Sequence, residues 1–97
     1  MKVRVAIVKD ERDRRCPDTR RALDFWDVQG DGFLIEEVEY WTYRSMELWG
    51  KAVHHLYGER YIGGPLVVIL RNGEVIWAAI RPSEVQLNEA LATASAE

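Results

Sequence analysis

The residues best equipped for chemistry in this chain are a lone cysteine and its neighbours. Cys16 lies in "RRCPDTRRALDFW", residues 14–26, followed by Pro17, Asp18 and Thr19 and flanked by arginines. Proline suits a first helical position, so a helix beginning at Pro17 puts Cys16 at its N-cap. Unpaired backbone N–H groups and the helix dipole favour an anion there. Cysteines in such places have pKa values of roughly 3.5–7.5, which makes thiolate available near neutral pH. Arg12, Arg14, Arg15, Arg20 and Arg21 add to that effect, and Asp18 opposes it. Thr19, one turn along, is placed to donate its hydroxyl to the thiolate. A single thiol exchanges with a second thiol molecule but closes no disulfide of its own. The competing reading is that Cys16 packs as a small apolar residue.

Three other groups bear weighing. "DVQGDGFLIEEV", residues 27–38, places Asp27, Gln29, Asp31, Gly32 and Leu34 where a calcium loop would have them, but Val38 stands at the twelfth position. That position calls for a bidentate glutamate, so a helix-to-strand turn accounts better for the segment. His54 and His55 have no cysteine or histidine at ligand spacing, and no metal is expected. The tryptophans at 26, 41, 49 and 77 are read as core, with Trp41, Tyr40 and Tyr43 as the alternative of an exposed patch for a partner.

The elements that must position these residues follow from the apolar pattern. "KVRVAIV" reads as a buried strand at 2–8, and Pro17 to about Val28 as a helix with Ala22, Leu23 and Trp26 on one face. "QGDG" ends it, and "FLIEEVEYW" at 33–41 is a second strand. Met46, Trp49, Val53 and Leu56 are spaced three, four and three, which predicts a helix over 44–57 with that stripe facing the core. "LVVIL" at 66–70 is a strand covered on both faces, and Asn72–Gly73 turns the chain into "EVIWAAI". Ser83 and Gln86 form a capping box that starts a last helix with Leu87, Leu91 and Ala94 on its core face. The small-residue end, 93–97, is expected to fray.

The order is therefore βαβαββα. Helix-separated strands point to parallel pairing, and the Asn-Gly turn makes the last pair antiparallel. An α/β domain with a four-stranded mixed sheet and helices on both faces results. Residues 1–97 make one domain on length alone.

This order, with a cysteine at the start of the first helix and a proline just before the third strand, resembles the thioredoxin fold. Within it, "CPDT" and "RRALDFW" are similar to the active-site turn and helix of glutaredoxins. "LYGERYIGGPLVVILRNGEVI" resembles the family's segment from the second helix through the cis-proline to the hairpin. The resemblance implies that Cys16 is the attacking thiolate and Pro65 the cis-proline, with Gly64 aligning an extended thiol substrate. Thr19 occupies the place of the family's second cysteine, which implies monothiol exchange. Arg14 and Arg15 would form a positive rim that attracts an anionic thiol such as glutathione. No resident cofactor is implied, only glutathione as a co-substrate; the partners are thiols or disulfides, small or on a protein. A thioredoxin-fold interaction module without catalysis is the alternative.

Composition narrows the class further. Thirteen basic and sixteen acidic residues give a net charge of −3, which does not suggest a nucleic-acid binder. The first apolar run is too short for a signal peptide or a membrane span, and one cysteine allows no internal disulfide, so cytoplasmic residence is expected.

Overall fold

The computed structural model describes residues 3–9, 20–22, 24, 33–56 and 65–96. These contain strands β1 (Arg4–Val8), β2 (Leu34–Val38), β3 (Leu66–Arg71) and β4 (Glu74–Ile80), and helices α1 (Tyr43–Leu56) and α2 (Glu84–Ala96). Residues 20–22 and 24 are also helical, within the span expected for the first helix. The fold is α/β, with the strands in the order β2-β1-β3-β4.

β1 pairs parallel with β2, Val8 opposite Val38, and antiparallel with β3, Val8 opposite Leu66. Helix separation predicted parallel pairing for β3 as well, and here the structure differs. β3 starts at the end of the sheet where β1 and β2 finish, so it runs back against β1. β3 and β4 form the expected antiparallel hairpin through Asn72 and Gly73. A register shift at Ile69/Leu70 leaves Ile76 between the paired Val75 and Trp77 with no partner of its own. Among the described residues β2 pairs only with β1, so its other margin is a sheet edge.

Apart from Arg4 and Arg71 at the hairpin end, the two central strands are apolar because both their faces are covered. Ala6, Val8, Leu66, Val68 and Leu70 pack with Leu48, Ala52 and Leu56 of α1. The alternate residues Val3, Val5, Val67 and Ile69 pack with Leu87, Leu91 and Ala94 of α2 and with Ala22. Ala22 therefore lies on the α2 side of the sheet. Arg21 strengthens that placement, its Nε donating to Glu84 Oε2 at 2.9 Å.

Local chemistry starts both helices. Ser83 and Gln86 make the capping box reciprocally, Ser83 N donating to Gln86 Oε1 and Gln86 N to Ser83 Oγ. Thr42 and Ser45 exchange the same pair of bonds before α1, Thr42 N to Ser45 Oγ at 3.0 Å and Ser45 N to Thr42 Oγ1 at 3.1 Å. α2 runs through Ala96, into the stretch expected to fray, because Ala94 is buried and its carbonyl accepts from Arg71.

The facing of α1 corrects the sequence reading. Its buried residues are Ser45, Leu48, Ala52 and Leu56. Met46 and Val53, read as core, are 46% and 56% exposed, and Trp49 is half-buried against the cluster. Leu56, the last residue of the expected stripe, is buried, and the rest of that stripe, Met46, Trp49 and Val53, lies wholly or partly outside.

Candidate functional site

One end of the sheet gathers most of the unusual features. β1 and β2 finish there and β3 begins there, which makes it the point where the chain's connections diverge to either side of β1. Ligands of open α/β sheets favour such a crevice at the carboxyl ends of strands. Lys9 N donates to Val38 O at 2.9 Å and so holds the ends of β1 and β2 together. Pro65 is buried at the head of β3, and its carbonyl accepts from Arg81 N at 2.9 Å, tying in the end of β4.

Two residues at this end have backbone conformations that L side chains rarely adopt. Trp41 has φ +57° and Arg81 φ +48°. For a residue as bulky as tryptophan that is a genuine outlier. The surrounding bonds hold it: Thr42 Oγ1 donates to Glu39 O and Ser45 Oγ to Thr42 O, while Lys9 Nζ donates to Glu39 Oε1 at 3.0 Å. Trp41 is 68% exposed, and its ring stands edge-on to Tyr40, with ring centroids 5.3 Å apart. Of the two readings of the tryptophans, Trp41 takes the exposed-patch one, with Tyr43 90% exposed beside it. Trp49 and Trp77 pack half-buried against opposite faces of the sheet, and Trp26 lies outside the described residues.

Beside Trp41 is a pocket of about 350 Å³, lined by Val8, Lys9, Tyr40, Trp41, Ser45, Met46 and Trp49. Met46 and Trp49 of its wall belong to the α1 stripe that the sequence predicts to face inward. Sequence reasoning missed it because its main signal is the positive φ at a tryptophan, and glycine or asparagine normally announces such a conformation.

An ionic network fixes α1 over the edge strand. Arg44 grips Glu36 with both prongs, Nε to Oε2 and Nη2 to Oε1, each at 2.9 Å, and its remaining arm reaches Glu47. Arg4 stands 3.6 Å from the same carboxylate. The hydrogen bonds from Arg44, and then the charges of Arg44 and Arg4, hold the Glu36 carboxyl below the usual carboxylate range against the opposing effect of burial. Glu36 in turn raises Arg44, first through the same hydrogen bonds. With two arginines on one carboxylate, this network is structural.

Cys16, Pro17, Asp18, Thr19, Arg14, Arg15 and Gly64 lie outside the described residues. So does the Gly64–Pro65 bond, half of which belongs to residue 64. Arg21 is engaged with Glu84, and Arg20 is exposed. Asp27, Gln29, Asp31 and Gly32 of the calcium-like loop are outside as well, while Val38, at its twelfth position, is a buried strand residue. His54 is exposed and His55 half-buried in the last turn of α1, and no group of three potential metal ligands occurs among the described residues. Within the described residues, no helix is long and apolar enough to cross a membrane. Arg81 is the site residue that sequence reasoning overlooked: it is exposed beside Pro65, and its guanidinium has no ion pair or hydrogen bond among the described residues.

Comparison with known proteins adds no assignment: no family model and no curated protein matches this sequence.

Proposed function

We propose that this is a thioredoxin-fold, glutaredoxin-like protein that carries out monothiol exchange through Cys16. One observation supports the reading above the others. Val8 pairs with Leu66, so the strand that leads toward Cys16 ends beside the strand that Pro65 begins. The four-stranded mixed sheet, with helical residue Ala22 and α2 on one face and α1 on the other, is compatible with the resemblance.

In the proposed reaction the Cys16 thiolate attacks one sulfur of a substrate disulfide. A bond from Cys16 to that sulfur forms as the substrate S–S bond breaks, and the other sulfur leaves as a thiolate that takes a proton from water. A second thiol, glutathione or another monothiol, then attacks the mixed disulfide and releases Cys16 as thiolate. The electrons thus pass from the incoming thiols to the substrate disulfide, and Cys16 is unchanged over the cycle. Thr19 hydrogen-bonds the thiolate, Arg14 and Arg15 supply positive charge, and Gly64–Pro65 aligns the substrate. The guanidinium of Arg81 is suited to a carboxylate of an anionic thiol. The setting is a reducing, cytoplasmic one.

The test is the alkylation rate of Cys16 against pH, beside a Cys16→Ser control in a glutathione-coupled disulfide exchange assay. The expected inflection lies well below the ordinary thiol value of about 8.5, with exchange lost in the control. An inflection near that ordinary value, with exchange no faster than a free thiol gives, rejects the reading. The exposed Trp41, Tyr43, Met46 and Val53 favour a second reading, an interaction module of the same fold without catalysis.

A further inference from the structure

We propose that the pocket between Trp41 and α1 is a binding site for a small, neutral, planar aromatic molecule. It stands apart from the thiol reading and does not depend on Cys16.

The chemistry of the lining selects the ligand class. Val8, Tyr40, Trp41, Met46 and Trp49 present apolar or aromatic surface. The polar contributions are already matched: Lys9 Nζ bonds Glu39, and Ser45 Oγ donates to Thr42 O and accepts from Thr42 N. Among the described lining residues Lys9 is the sole charge and is already bonded to Glu39, so a charged ligand would give up its hydration for little in return and a neutral one is favoured. Aromatic walls favour stacked or edge-on rings, the arrangement Tyr40 and Trp41 already show to each other. The volume of about 350 Å³ is at the small end of ligand pockets, which suits one or two fused rings and little more.

Two further observations point to a ligand instead of incidental roughness. The fold keeps Trp41 at φ +57°, a conformation that bulky L side chains rarely adopt, with the residue 68% exposed and lining the pocket. Strain of that kind clusters at ligand clamps. Both walls are also fixed before any ligand arrives, by the Thr42–Ser45 cap at the head of α1 and by the Lys9–Val38 backbone bond at the strand ends. A preformed wall costs the ligand no ordering on entry.

2-Naphthol is the probe, titrated into the full-length protein while the indole N–H signals are followed by nuclear magnetic resonance. The Trp41 and Trp49 signals are expected to shift and saturate together. Trp77, which packs on the opposite face of the sheet, serves as the internal reference. Trp41→Gly fits the positive φ, and Met46→Glu falls at a half-exposed position, so both keep the fold; each is expected to weaken binding about tenfold or more. The charged isostere 2-naphthoate is expected to bind about tenfold more weakly than 2-naphthol. Equal binding of the two probes, equal shifts at Trp77, or undiminished affinity in both variants overturns the proposal. Binding of a tryptophan-containing peptide without binding of 2-naphthol overturns it too, in favour of a protein-docking surface.

Discussion

The two ends of the sheet solve the same geometric problem with different residues. At the hairpin end the chain reverses through Asn72 and Gly73, with φ +56° and +81°. Those are the residue types that accept a left-handed backbone at least cost, and the two-residue turn needs both. At the opposite end the same region of backbone space is occupied by Trp41 and Arg81. Neither is a residue type that favours that backbone. Both ends carry a pocket, the one at the hairpin lined by Arg4, Arg44 and Lys51 among others and the one at the opposite end largely apolar. The opposite end adds a strained tryptophan, a buried proline and an arginine whose guanidinium has no partner among the described residues.

The largest expected effect tests which side of α1 belongs to the fold and which to that surface. Leu48→Ala, which opens a hole in the cluster around Ala6, Val8 and Leu66, is expected to cost about 2–5 kcal/mol in urea unfolding. Met46→Ala, two residues away on the outer stripe, is expected to cost no more than about 0.5 kcal/mol. Equal costs would mean that Met46 is core and the pocket wall is not a surface.

The next pair of substitutions addresses the two turns directly. Gly73→Ala forces a Cβ onto a left-handed backbone and is expected to destabilise by about 1–2 kcal/mol. Trp41→Gly removes a far larger side chain, yet relief of the strain offsets the lost ring contact and the extra chain freedom. Its expected cost is below about 1 kcal/mol, against about 3–5 for a tryptophan buried in a core. A large loss at Trp41→Gly in thermal unfolding would erase the contrast between the two ends.

The smallest effect concerns the acid side of the stability profile. Because Glu36 ionises below the usual carboxylate range in the folded chain, it stabilises the fold above the ordinary range and loses that contribution as pH falls through its folded value. Glu36→Gln is therefore expected to lower stability near neutral pH by about 1 kcal/mol or less and to flatten the decline in acid. Melting temperatures taken from pH 7 down to pH 3 check it; an unchanged slope would remove the network from the account of how α1 is held.

What the sequence made legible was whatever local chemistry decides. Asn72–Gly73, the Ser83–Gln86 box and the five apolar residues of β3 each carry their own explanation, and each appears in the structure where the sequence puts it. The facing of α1 was not legible. Met46, Trp49, Val53 and Leu56 form as good an apolar stripe as Leu48, Ala52 and Leu56, and of the expected stripe Leu56 alone is buried in the core. The direction of β3 was also hidden, since a helix between two strands does not say at which end of the sheet the second begins. The pocket escaped for the same reason as the conformation of Trp41: both are consequences of neighbours distant in the chain. Of the thiol site, Pro65 falls among the described residues, and Cys16 with its turn does not.

The free margin of β2 has its own consequence. Among the described residues nothing pairs with its backbone beside Leu34 and Ile35, both partly exposed, and such an edge is an inviting template for an extended chain. Glu36 is taken up by Arg44 and Arg4, but Glu37 is exposed, so one carboxylate stands on that strand. A lone charge of that kind makes the margin a poorer template for a second copy of the same strand.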